Sequence, residues 1–129
     1  EGDFIFERQY RHAAGLTMLE IPGGCVDPED KSLQDAIARE LKEETGFEAK
    51  TWTEILRMHV SNSVSAEYAV VYVAQDLRAG EAEPEETEKL AVQKMPFSQA
   101  LQWVMDGKIT DSITVAAILK WNAMQSKIV

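Results

Sequence analysis

The stretch Arg39 to Phe47, RELKEETGF, sets the hardest condition on how this chain folds. It closes a helical pattern that begins at Leu33 and stops before Gly46, a glycine placed to end a helix. With Leu33 at 0° and about 100° per residue, Ile37 falls at about 40°, Leu41 at about 80° and Ala36 at about 300°. These residues form the apolar stripe that must pack on the rest of the protein. Glu44 falls at about 20° and Glu40 at about 340°, inside that stripe, with Glu43 at its edge at about 280°. Two carboxylates one helical turn apart are therefore carried to the inner side of the helix. There they repel each other and lose hydration. Each must be protonated, paired with a base, or bound to a cation. Arg39 is placed to pair with Glu43 and to point away from Glu40 and Glu44. Two such carboxylates suit a hard divalent cation. On spacing alone a salt-bridge network suits them as well.

The residues upstream favour the cation. Pro22, Gly23 and Gly24 break a strand just before the helix. A glycine there lets a bare backbone carbonyl approach the same point. The chain has a formal net charge of −9. That disfavours general binding to a nucleic-acid backbone, which depends on Lys and Arg displacing counterions. Cys25 is the only cysteine, so no internal disulfide can form, which fits a reducing cytoplasm. No apolar run approaches the roughly 18 residues of a membrane-spanning helix.

Strands and helices alternate through the 129 residues without an internal repeat or a linker, so one α/β or α+β domain is expected over residues 1–129. DFIFER reads as a strand with Phe4 and Phe6 on one face, and LTMLEI as a second strand. The helix from Leu33 to Glu44 starts at Asp30 or Ser32. AKTWTEILRMHV and AEYAVVYVAQDL form two strands around the loop SNSVS, and KLAVQKM a further strand. A helix runs from Pro96 to Gly107, and a last helix follows a cap at Thr110 or Asp111. Trp52, Trp103 and Trp121 read as packing residues.

RELKEETGF resembles the second half of the Nudix box, R-E-U-x-E-E-x-G-U with U aliphatic, and departs from it only at Phe47. In the first half, Gly24 lies one residue further from Arg39 than the pattern sets, so the loop CVDPEDKS holds an extra residue. Asp30 or Glu29 then stands where a glutamate would support Arg39. RQYRHAAGLTMLEIPGG and PFSQALQWVMDGKITDSITVAAILKW are similar to segments of the branch that hydrolyses ADP-ribose and other nucleoside diphosphate sugars. Where ADP-ribose-specific members carry a proline beyond the box, this chain has SNSVS.

The resemblance implies an α/β/α sandwich with a mixed β-sheet. It also implies Mg²⁺ or Mn²⁺ held over the diphosphate of a small nucleotide substrate, ADP-ribose before other sugar nucleotides or nucleoside triphosphates. Glu40, Glu44 and the Gly24 carbonyl would be the ligands. Glu43 would be a further ligand or a base acting through water, and Arg39 would orient the acids. From the acidic loop EAEPEETEK, Glu86 would be the general base and Glu88 an extra ligand. Arg8 and Arg11 are the candidates to grip the diphosphate. Strand alternation puts them on opposite sides, with Arg11 preferred. Glu20 is similar to a family residue near the substrate, and reads equally as a surface strand residue. A homodimer and a segment ahead of Glu1 are further implications. An intact REUxEE core speaks against a non-catalytic nucleotide-binding module.

Overall fold

The computed structural model describes residues 3–79 and 91–125, so Glu86 and Glu88 lie outside the described residues. Strand β1 (Asp3–Arg11) pairs antiparallel with β2 (Leu16–Glu20) on one side and with β5 (Ala91–Pro96) on the other. β3 (Phe47–His59) and β4 (Tyr68–Ala79) form a separate antiparallel pair. The helices are α1 (Leu33–Thr45), α2 (Phe97–Met105) and α3 (Ser112–Gln125). The expected α+β class is found. In place of a single mixed sheet, the described residues form two sheets whose ladders are all antiparallel.

The ends of the helices follow local chemistry. Ser32 is the N-cap of α1, its Oγ accepting the Asp35 N–H at 3.0 Å. Gly46 ends the helix at a φ of 79°, a left-handed conformation that costs glycine nothing. Asp111 caps α3, accepting the Thr114 N–H at 3.1 Å, which settles the choice between Thr110 and Asp111.

α3 joins the two sheets. Its sequence SITVAAILKW is apolar around much of the helix, and two of its faces are covered. Ile118 packs with Phe6, Leu19 and Met95 of the first sheet and Ala100 of α2. Ala117 packs with Ile55 and Val71 of the second sheet. The tryptophans pack as expected: Trp103 joins the first cluster, Trp121 the second, and Trp52 meets Tyr72 edge-on.

Thr114 fastens α3 to the loop after β2. It is fully buried, accepts the Ile21 N–H at 3.0 Å, and donates to Asp111 Oδ2 at 2.7 Å. Thr114→Val keeps the shape and leaves the Ile21 N–H without its acceptor. We expect a loss of about 1–3 kcal/mol, read as a lower urea midpoint with an unchanged slope.

Candidate active site

α1 presents its inner face to a cavity of about 860 Å³ between the two sheets. Glu44 lines it with Gly23 and Gly24, and Glu7, Arg11 and Glu20 of the first sheet line it from the other side. Ala36 and Leu41 are buried while Glu40 and Glu44 are half-buried, as the helical phase requires. Glu43 is exposed.

The glycine turn meets this helix closely. A Cβ on Gly24 would overlap the Glu40 carboxylate carbon and both its oxygens, whereas one on Gly23 would meet nothing. Gly23 contributes its N–H, donated to Glu44 Oε1 at 3.2 Å. The glycine pair is therefore fitted to the two inward glutamates, one residue to each.

Arg39 gathers the rest. Its Nε and Nη2 donate to the two oxygens of Asp30 at 3.1 and 2.9 Å, a fork on a carboxylate. Asp30, and not Glu29, is thus the acid that supports Arg39. Asp30 also accepts the Asp27 N–H at 2.7 Å. Both contacts, the arginine first, hold its carboxyl below the usual range. Nη2 donates to the Cys25 carbonyl at 3.2 Å. Nη1 donates to Glu43 Oε1 and to Glu40 Oε2, each at 3.2 Å. The expectation that Arg39 points away from Glu40 is corrected here. A helical side chain leans toward the N-terminus, and the fork to Asp30 carries the guanidinium across Glu40.

On β1 the two arginines part as strand alternation predicts. Arg11 forks onto Glu20, through Nε at 2.7 Å and Nη2 at 2.5 Å. Glu20 is buried, so the surface reading of that residue is set aside. Arg8 donates to Gln93 at 2.5 Å, does not line the cavity and is not brought to this site. It leaves the strand on the opposite side from Arg11.

The sequence pattern missed Glu7. It is only 2 % exposed, and its Oε2 is buried without a hydrogen-bond partner. The alternation of Phe4 and Phe6 puts Glu7 on the polar face of a strand. β1 is central in its sheet, however, and both its faces are covered, so Phe6 and Glu7 are both buried.

The carboxyls near α1 resist ionisation. Burial, the hydrogen bond with Glu7 and the Glu7 charge push Glu44 up to about 9. Burial and then the charge of Glu44 push Glu40 up to about 7, against the pull of Arg39. Burial also raises Glu7, although its hydrogen bond with Glu44 works the other way, so the shared proton sits on Glu44. These groups hold more protons in the folded chain than in the unfolded one. The stability they contribute is complete below their ordinary value of 4.5 and is lost as pH rises through about 7 and about 9. Metal-free protein is therefore expected to lose roughly 2 kcal/mol between pH 5 and 8, a figure discounted for solvent screening. Added Mg²⁺ should restore it by taking the place of the protons. Melting curves across that range, with and without the cation, check this. A flat metal-free profile would contradict the arrangement.

The donor set suits a hard cation. Carboxylate and carbonyl oxygens are what Mg²⁺ and Mn²⁺ accept. Gly24 leaves room for the Glu40 carboxylate, and a buried Glu7 oxygen is unsatisfied. Among the described residues no three Asp, Glu, His or Cys side chains close on one point as a finished cage. No helix in the described residues is long and apolar enough to cross a membrane.

A family model described as a NUDIX domain matches residues 1–113. The ADP-ribose pyrophosphatase of Mycobacterium tuberculosis (strain ATCC 25618 / H37Rv) is 34% identical over an alignment of 126 residues that covers 95% of this chain and 60% of that protein. The ADP-ribose pyrophosphatase of Bacillus subtilis (strain 168) is 32% identical over 120 residues, 92% of this chain and 64% of that protein. The chain thus spans less than two thirds of the length of either relative. A crystal structure of an ADP compounds hydrolase superposes with a TM-score of 0.85 at 26% identity, covering 100% of this chain and 70% of that one.

Proposed function

The chain belongs to the NUDIX family, whose model covers residues 1–113, and from that premise we propose that it hydrolyses the diphosphate bond of a nucleoside diphosphate sugar with a divalent cation. ADP-ribose is the leading substrate, giving AMP and ribose 5-phosphate. One observation carries this reading: Gly24 is fitted against Glu40 on the helix whose Glu44 faces the cavity that Arg11 lines. The two ADP-ribose pyrophosphatases support the choice of substrate.

In this reading Glu40, Glu44 and the Gly24 carbonyl hold Mg²⁺ or Mn²⁺. When bound, such a cation neutralises charge on the phosphoryl oxygens and activates water. Arg39 keeps Glu40 and Glu43 in place from its anchor on Asp30. Glu43 acts from the exposed rim as a further ligand or as a base through water. Glu86 is proposed as the general base and Glu88 as an extra ligand. Arg11 grips the diphosphate. Two of its five donors are held by Glu20, which fixes the plane of the guanidinium and leaves the other edge for phosphate oxygens. Glu20 thus acts on substrate through Arg11.

The same reading places the protein in the cytoplasm, supported by a lone cysteine that makes no internal disulfide. It takes a homodimer as the assembly. Exposed Tyr10 on β1 and Leu16 on the edge strand β2 support that.

The test is a panel of ADP-ribose, other nucleoside diphosphate sugars and nucleoside triphosphates, with Mg²⁺, with Mn²⁺ and with chelator, and with products identified. Conversion of ADP-ribose to AMP only with a cation is expected. Preferred turnover of a triphosphate would overturn the substrate, and binding without turnover of any compound would overturn the activity.

A further inference from the structure

Glu7 and Glu20 stand directly opposite each other on β1 and β2, and both are buried, at 2 % and 6 % exposure. Like charges placed so are destabilising unless each finds a partner. Glu20 has one in the Arg11 fork. Glu7 has no such cation: its hydrogen bond is with Glu44, and among the described residues no donor reaches its buried Oε2. The group beside it is another acid, Glu44, which stands between Glu7 and Glu40. Glu7, Glu44 and Gly24 also line the same cavity. A carboxylate buried in this way is retained when it is paired or when it coordinates a cation. Among the described residues no base is hydrogen-bonded to Glu7; Arg11, whose charge reaches it, is forked onto Glu20, and the helix beside Glu7 carries the inward glutamates Glu40 and Glu44.

We propose that Glu7 is a cation ligand, through which β1 adds a third carboxylate to Glu40 and Glu44 and shares a cation with Glu44. This rests on the metal-dependent reading above and deepens it. The site then joins a strand of the first sheet to the end of α1. The cation would bridge the two elements that otherwise share only the hydrogen bond between Glu7 and Glu44. It would also give Glu7 the positive partner that Glu20 has in Arg11.

The experiment is a calorimetric titration of Mn²⁺ into wild type, Glu7→Gln and Glu44→Gln, with free Mn²⁺ counted by electron paramagnetic resonance. Metal-free melting curves are recorded beside it. Glu7→Gln is expected to weaken Mn²⁺ binding by about 10-fold or more, or to lose one equivalent, while melting metal-free at or above the wild-type temperature. Wild-type affinity and stoichiometry in Glu7→Gln would overturn the inference. So would a Glu7→Gln protein that fails to fold without metal, because the carboxylate would then be held by the protein itself. If wild type binds no Mn²⁺, the metal-dependent reading falls and this inference with it. If wild type and Glu44→Gln differ while Glu7→Gln does not, only the role of Glu7 falls.

Discussion

Glu44→Gln is expected to cut hydrolysis of ADP-ribose by about 10²- to 10³-fold with Mg²⁺ present, while the protein stays folded. The amide nearly preserves the shape of the side chain, so packing in α1 is undisturbed. It removes the negative charge that would hold a cation facing the cavity. The variant also removes a group that must keep a proton up to about pH 9 in the metal-free fold. The pH dependence of metal-free stability should therefore flatten at the same time. Loss of turnover together with a flatter stability profile is a combined result that unfolding cannot produce. Wild-type rates with saturating Mg²⁺ would remove Glu44 from the site.

Gly24→Ala is the second large effect, and it separates activity from stability. The added methyl would overlap the Glu40 carboxylate. That carboxylate is the far end of a flexible side chain, so the fold accommodates the methyl by turning Glu40 aside. Gly24 shows no left-handed φ that would make alanine strained. Melting should shift little, while turnover falls by about 10²-fold because the carboxylate proposed to hold the cation has been displaced. The same change at Gly23, where a Cβ meets nothing, should cost far less. Equal losses at the two glycines would mean that the turn needs flexibility and not the space beside Glu40.

How far the sequence reaches depends on what each residue answers to. Glu40 and Glu44 were legible because helical periodicity alone fixes their direction, and nothing in the tertiary fold reverses it. Ser32 and Gly46 were legible for the same local reason. Asp30 was legible only as one of two acids. Spacing counts residues, and the choice over Glu29 is made by a turn in which Asp30 accepts the Asp27 N–H. Glu7 was not legible. An alternating strand declares one face apolar, but it cannot say that the polar face will also be covered. Arg39 misled in a related way. Its Cα direction is a helical property, while the reach of its guanidinium is set by an anchor nine residues upstream.

That anchor bears on how this loop tolerates change. Gly24 is fixed against Glu40 at one end, and Asp30 is fixed to Arg39 at the other. Between them the Cys25 carbonyl accepts from Arg39 and the Asp27 N–H is donated to Asp30, so this span is itself held in place. Asp30 stands six residues after Gly24, as the pattern sets, so the extra residue lies between Asp30 and Arg39. It falls beside exposed Lys31, ahead of the Ser32 cap. Lengthening a span there costs little, since closure entropy grows only with the logarithm of loop length. Length is thus a free variable next to Lys31, and the stretch from Gly24 to Asp30 is not.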